Sequence, residues 1–250
     1  MSTATAERRE ARDAASGGAS KRAYVRRTFS EIAPSYDLLN HVLSVNLDRG
    51  WRRAAIDALE WTRRPDGTYL DVCAGTMDVG AELAARRGFR GAVVCADFAE
   101  PMLRGGLRKT RGLSVGAVVA DAMRLPVRDA SASGALVAFG VRNFDDIDAG
   151  LRELARVVAP GARVVILECA EPPRAIVRTL YHVYFQRVLP LIGGLVSGHR
   201  TAYRYLPESV ANFPDADTLA TRMRAAGLVD VGYRRLTFGT AAIHWGARPA

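Results

Sequence analysis

With 250 residues and a hydrophobic fraction of 49%, the chain is long and apolar enough to bury a full core, as one large α/β domain or two small ones. Its three cysteines (Cys73, Cys95, Cys169) lie in or at the ends of apolar runs with no CxxC pair, and its four histidines are scattered, which speaks against a disulfide scaffold and a Cys/His metal centre. The net charge is +9, residues 1–27 hold seven Lys/Arg against three Asp/Glu, and no apolar segment there reads as a secretory signal, so a cytoplasmic protein with a basic tail is expected.

Residues 1–20 lack hydrophobic periodicity and read as a disordered basic tail, followed by one domain over 21–250. Tyr24, Val25, Phe29, Ile32 and Tyr36 have helical spacing, interrupted at Pro34. Leu38, Leu39, Val42 and Leu43 continue an apolar face, and Trp51, Ala55, Ile56 and Leu59 give another helix. This block, 21–64, is placed to act as a lid. The chain then alternates. Strands are expected near 68–73, 92–96, 115–120, 135–139 and 163–169, with helices near 78–87, 100–109 and 145–158. That alternation implies a parallel sheet covered on both faces.

Residues 174–212 read as a helical insertion. Ile176, Val177, Leu180, Tyr184, Val188, Leu191 and Ile192 form an apolar stripe, but Arg178, His182, Gln186 and Arg187 interrupt it, so it does not read as a membrane span. Two readings stand: a helix packed on the sheet edge, or a cover over a greasy substrate or the membrane surface. A helix at 215–226 ends at Gly227, and strands at 229–237 and 241–247 around Gly239 form an antiparallel hairpin.

The chemistry centres on Thr68 to Asp78, an apolar run that breaks into small residues before a helix. A turn of this kind lets a ligand lie against backbone at the carboxyl end of a strand. Its glycine content is low: Gly75 and Ala74 remain, and Met77 stands where glycine is expected. Asp97 ends the second strand, and an acid there can accept hydrogen bonds from two ribose hydroxyls. Asp121-Ala122 ends the third, where an acid can take the amine of adenine. Each acid alone also reads as a surface carboxylate. The ligand is NAD or S-adenosylmethionine; Asp71 inside the first strand, suited to a cationic ligand, and the terminal hairpin favour the methyl donor.

At these residues the chain resembles a known family, the C-methyltransferases of menaquinone and ubiquinone biosynthesis, which are class I S-adenosylmethionine-dependent enzymes. The resemblance runs over about 24–248. Its most specific parts are Tyr36-Asp37 with Asn40, Phe139-Gly140-Val141-Arg142-Asn143, and Tyr203-Arg204-Tyr205-Leu206 with Ser209. It implies a Rossmann-like, seven-stranded, mostly parallel sheet with helices on both faces. It also implies a donor site that, with the residues read above, comprises Asp71, Gly75, Thr76, Asp97, Phe98, Asp121, Ala122 and Ala138. The substrate implied is an isoprenoid quinol, with transient membrane-surface contact, no nucleic acid, and room for a homodimer. Arg142 is the first candidate for stabilising a phenolate, with Tyr203 or His199 relaying its proton; its alternative reading is a salt bridge locking the loop before Asp145 and Asp146. His244, inside a strand, reads as structural. The chain departs from the family pattern at Asp48, Met77, Ala138, Ala159, Ala162 and His199. These departures leave two rivals open: a soluble phenolic acceptor, and a binding protein whose Met77 fills the donor pocket.

Overall fold

The computed structural model describes residues 19–44, 46–184 and 200–250. The basic tail and the second half of the apolar stripe, 185–199, lie outside the described residues. Seven strands make one sheet: β1 (Thr68–Val72), β2 (Ala92–Asp97), β3 (Val115–Val119), β4 (Ala132–Ala138), β5 (Val158–Cys169), β6 (Val229–Leu236) and β7 (Ala241–Ala247), in the order β3-β2-β1-β4-β5-β7-β6. The first five run parallel; β7 pairs antiparallel with both β5 and β6.

The strand sequences explain the layering. Side chains alternate across a strand, and here both faces are apolar. Leu70, Val72, Ala135, Val137, Val164 and Ile166 face one core with Leu151 and Leu154 of α6 (Ile147–Val157) and Leu219 and Met223 of α9 (Ala216–Ala225). Tyr69, Val93, Cys95, Leu136, Val165 and Leu167 face the other. That side is covered by Ile56 of α3 (Leu47–Ala58), Leu83 of α4 (Asp78–Ala84) and Leu103 of α5 (Glu100–Gly106). Asp146 and Asp215 start α6 and α9 by accepting the N–H groups of Ala149 and Thr218.

The pairing aligns Val72 with Ala96 and Val137, and Asp97 with Val119. The carboxyl ends of β1 to β4 therefore share one edge. The chain moves outward to β2 and β3 on one side of β1 and returns as β4 on the other, and such a reversal opens a crevice at that edge. The N-terminal block roofs the crevice. α1 (Ala19–Ile32) ends where expected, Ala33–Ser35 is a 3-10 turn around Pro34, and α2 (Tyr36–Leu43) follows. Tyr24 and Val25 pack on Tyr205 of α8 (Arg200–Ala211).

One expectation changes. β5 begins at Val158 rather than 163: Ala132 pairs with Val158, the chain bulges through Pro160-Gly161, and pairing resumes between Gly134 and Arg163. Proline cannot donate to the ladder, and Gly161 takes the left-handed φ of 72° that the bulge requires. The described part of the apolar stripe is α7 (Ala175–Val183), one side of which, Val177 and Tyr181, is half-buried while the other faces outward. None of its residues is buried, and Ile176 and Leu180 are 80% and 66% exposed. No described helix is long and apolar enough to cross a membrane.

Candidate functional site

A cavity of about 660 Å³, its open mouth included, lies at the carboxyl edge of β1, β2 and β4. Its floor is the turn after β1. Cys73, Gly75 and Met77 all have positive φ there, 56°, 53° and 61°. At Gly75 a Cβ would meet Met102 Cε at 3.2 Å and the Tyr36 ring at 3.7 Å, so the glycine serves both the backbone conformation and the fit beneath the lid.

Asp97 is buried at the head of this turn. Its Oδ2 accepts the N–H of Gly75 at 2.9 Å and its Oδ1 that of Ala99 at 2.8 Å. Burial raises its pKa, against the opposing effect of these backbone donors. Each oxygen keeps a further lone pair, so the carboxylate is fixed in place and able to accept from a diol. Asp121 lines the far wall. Its Oδ1 accepts the Met123 N–H, and its Oδ2 pairs with Arg22 of α1 at 2.9 Å; Arg22 also reaches Asp145 at 3.0 Å. Phe98, Ala122 and Ala138 complete the lining, and the two alanines leave the room that larger side chains would fill. Phe29 and Tyr36 close the cavity from the lid. Burial also raises the Tyr36 pKa, so its hydroxyl stays protonated.

Of the eight expected donor contacts, Gly75, Asp97, Phe98, Asp121, Ala122 and Ala138 meet at this cavity; Asp71 and Thr76 do not line it. Asp71 points to the opposite side, where it accepts the Gly80 N–H at the start of α4. Burial lifts its pKa to about 7. The Thr76 hydroxyl donates to Asp37 at 2.5 Å and accepts from Lys109 Nζ at 2.9 Å. Lys109 also pairs with Asp37 at 2.6 Å and Asp78 at 2.5 Å, and Arg52 joins Asp78 to Asp48. Thr76 is thus part of a charged clasp holding the lid to the turn. Met77 does not fill the donor pocket, which corrects that expectation. It is fully buried in the core beneath the turn, close enough to α5 that a Cβ on Gly106 would lie 2.9 Å from its Cε.

Arg142 sits in the 3-10 turn Val141–Asn143 directly behind the lining, 9% exposed. Its Nη1 donates to Glu168 Oε2 at 2.8 Å and to the Phe139 carbonyl at 2.6 Å, and its N–H donates to Glu168 Oε1 at 3.2 Å. Burial works most strongly against its charge, but Glu168, Cys169 and Tyr36 together outweigh it and hold the guanidinium above its usual range. Its Nε is buried and finds no hydrogen-bond acceptor among the described residues. The salt bridge that is the alternative reading of Arg142 exists, to Glu168, and it leaves this donor over. Asn143 lines the cavity and accepts from the Tyr205 hydroxyl at 3.2 Å. Tyr203 falls on α8, its side chain outside the described set, and His199 lies outside the described residues. His244 is buried, and its Nε2 is 3.0 Å from the Ala216 carbonyl; burial lowers its pKa and keeps it neutral, as a structural residue. Among the described residues no group of His, Cys, Asp and Glu is placed to hold a metal.

The sequence reading missed Lys109 and Glu168 as site residues. Glu168 had a usable signal, a carboxylate ending a buried apolar strand. Lys109 had none, because its partners lie more than thirty residues away.

Solved structures share the fold. An S-adenosylmethionine-dependent methyltransferase from Thermotoga maritima superposes with a TM-score of 0.61 at 15% identity, covering 89% of this chain and 98% of that one. Phosphoethanolamine N-methyltransferase 2 of Haemonchus contortus, solved in complex with S-adenosyl-L-methionine, gives 0.56 at 13% identity, covering 78% of this chain and 52% of that one. Sequence likeness is much closer. The demethylmenaquinone methyltransferase of Thermus thermophilus is 51% identical over 224 residues, 88% of this chain and 100% of that protein. The ubiquinone/menaquinone biosynthesis C-methyltransferase UbiE of Geotalea daltonii is 40% identical over 228 residues, 90% and 96% of the two chains. The model of the ubiE/COQ5 methyltransferase family matches residues 18–248. Fold, cavity and sequence agree, and the chain belongs to the ubiE/COQ5 methyltransferase family, whose members take their methyl group from S-adenosylmethionine.

Proposed function

We propose that this enzyme methylates the ring carbon of demethylmenaquinol to give menaquinol, and that Arg142 stabilises the phenolate through which the acceptor reacts. The observation that carries the role of Arg142 is its place in the turn whose Phe139, Gly140 and Asn143 line the cavity, together with a buried Nε that finds no acceptor among the described residues. The bound donor supplies an electrophilic methyl group on a sulfonium. The cavity suits it: Asp97 and Asp121 offer carboxylates to hydroxyl and amine donors, Gly75 lets backbone approach, and Ala122 and Ala138 leave space.

The chain's own residues then favour attack by carbon. A quinol carbon beside a phenolic oxygen becomes nucleophilic as that oxygen loses its proton. Arg142, held by Glu168 and the Phe139 carbonyl, lowers the free energy of the resulting oxyanion. As the ring carbon bonds the methyl group, the S–CH3 bond breaks and S-adenosylhomocysteine leaves; the same carbon then gives up its hydrogen as a proton to restore the aromatic ring, and Tyr203 or His199 relays the protons. Phe29 and Tyr36 exclude water, and holding the reactants in contact contributes roughly 7–11 kcal/mol.

The isoprenoid tail accounts for the exposed apolar residues. Ile176, Leu180 and Val183 of α7, with Arg174 and Arg178 beside them, suit transient contact with the inner face of the cell membrane. Purified protein incubated with methyl-labelled donor and demethylmenaquinol under reducing conditions is expected to yield labelled menaquinol; no label in the quinol fraction overturns the proposal. Rescue of a quinone-methylation mutant separates this acceptor from a soluble phenol, for which rescue would fail.

A further inference from the structure

Lys21 is an anomaly for its residue type. It lies in the first turns of α1, yet it is 6% exposed, and lysines are seldom buried without partners. Its Nζ donates to the carbonyl of Arg142 at 2.9 Å and to that of Phe144 at 2.8 Å. These carbonyls flank Asn143, so the ammonium grips the backbone of the turn that carries Arg142. The neighbouring contacts run the same way. Arg22 bridges Asp121 and Asp145 on either side of the cavity, and Tyr24 packs on Tyr205, whose hydroxyl donates to Asn143. Glu168 holds the same turn from below through the Arg142 N–H. The turn therefore has one support within the sheet and a second on a helix more than a hundred residues distant in sequence.

We infer that Lys21 is a positioning residue for methyl transfer: by seating α1 on the carbonyls of Arg142 and Phe144, it sets where the Arg142 guanidinium stands relative to the acceptor. The inference rests on the role given above to Arg142. Without the Lys21 ammonium, Arg22 still ties α1 to Asp121 and Asp145 and the Asp37–Lys109 clasp still holds the lid to the Gly75 turn, so the donor cavity stays in place while the loop carrying Arg142 loses its upper support. Lys21 thus affects turnover far more than donor binding.

The test is a double-mutant cycle on the full chain, with kcat counted per site that binds S-adenosylhomocysteine in calorimetry, so that unfolded protein does not enter. A misplacement near 1 Å costs about a hundredfold in rate. Lys21→Met is expected to lower kcat roughly 10- to 100-fold with the Kd for S-adenosylhomocysteine within about threefold of wild type. Lys21→Arg, which keeps charged donors, recovers part of the loss. In an Arg142→Gln background Lys21→Met is expected to change kcat by less than about twofold, because residues acting through one group are not additive. Should Lys21→Met fold poorly, Lys21→Gln, which keeps one donor, is carried through the same cycle. A kcat within threefold of wild type for the Lys21 variant, or the same fold-loss with and without Arg142, overturns the inference while leaving the role of Arg142 intact. Full activity in Arg142→Gln alone overturns both.

Discussion

Replacing Glu168 by leucine separates what the buried ion pair does for the fold from what it does for the reaction. Glu168 is 1% exposed and accepts three hydrogen bonds, from the Arg142 N–H and Nη1 and from the Cys169 N–H. Glu168→Leu leaves the Arg142 guanidinium buried with the Phe139 carbonyl as its only acceptor among the described residues. Breaking one half of a buried pair costs about 3–5 kcal/mol. In a chain of this size each kcal/mol lowers Tm by about 2–4 °C, so Tm is expected to fall by roughly 6–20 °C. Removing the second charge as well reverses most of this. Glu168→Leu/Arg142→Met has no stranded ion, and apolar replacements of buried pairs are often neutral or better. The double variant is expected within about 2 kcal/mol of wild type, the remainder being the two backbone N–H groups left without their acceptor. It still binds S-adenosylhomocysteine and transfers no methyl group. Urea unfolding followed by circular dichroism gives the stabilities. A single-variant cost below about 1 kcal/mol, or a double-variant cost equal to the sum of the two singles, refutes the reasoning.

Other substitutions probe separate parts of the site. Asp97→Asn keeps the size but weakens acceptance from ribose hydroxyls and leaves an amide group facing backbone donors; calorimetry is expected to show about 10- to 100-fold weaker S-adenosylhomocysteine binding, and unchanged affinity would remove Asp97 from the donor site. Met77→Gly removes a fully buried side chain at a cost of about 2–5 kcal/mol and relieves a left-handed residue by about 1–2 kcal/mol. The expected net loss of stability, read from the urea midpoint, comes with donor affinity within threefold; a gain in stability would contradict the core position of Met77. Asp71 gives a pH test. Its pKa of about 7 in the folded chain compares with about 3.9 unfolded, so the folded state binds the proton more tightly. The stabilisation is complete below about pH 4 and is lost as pH rises through about 7, up to about 4 kcal/mol in all. Asp71→Asn is expected to flatten the fall in stability between pH 4 and 7 in urea titrations; an unchanged slope would mean that Asp71 does not cause it.

Residues that act through their own strand or turn were legible in the sequence. β1, β2 and β4 bury apolar side chains on both faces and therefore read as apolar runs, that of β1 with Asp71 inside it, and Asp97 and Asp121 stand out together, by falling at the ends of successive strands. Gly75 is legible for a similar reason, as its neighbours demand a conformation side chains avoid. What stayed hidden depends on direction or on distant partners. Nothing in the composition of the turn says that Met77 points into the core, or that the Thr76 hydroxyl turns away from the cavity to Asp37 and Lys109. Lys21 read as one more charge of a basic N-terminus because its acceptors are carbonyls, which carry no side-chain signature. The early start of β5 was masked by Pro160, a residue that ordinarily marks a turn and here marks a bulge.

The place of β7 bears on how the molecule is made. β5 has β4 on one side, but its other neighbour is β7, residues 241–247, which comes after α7, α8, α9 and β6. During synthesis the hydrogen-bonding edge of β5 stays bare while several tens of residues are added, a matter of seconds at about 5–20 residues per second. That edge carries Val164, Val165, Ile166 and Leu167, which are fully buried once the sheet is complete. An exposed apolar strand is a template for pairing with other chains, so the nascent protein is most prone to aggregate in this interval. Slow codons or a chaperone acting between β5 and β7 would change the yield of the enzyme without altering the finished molecule.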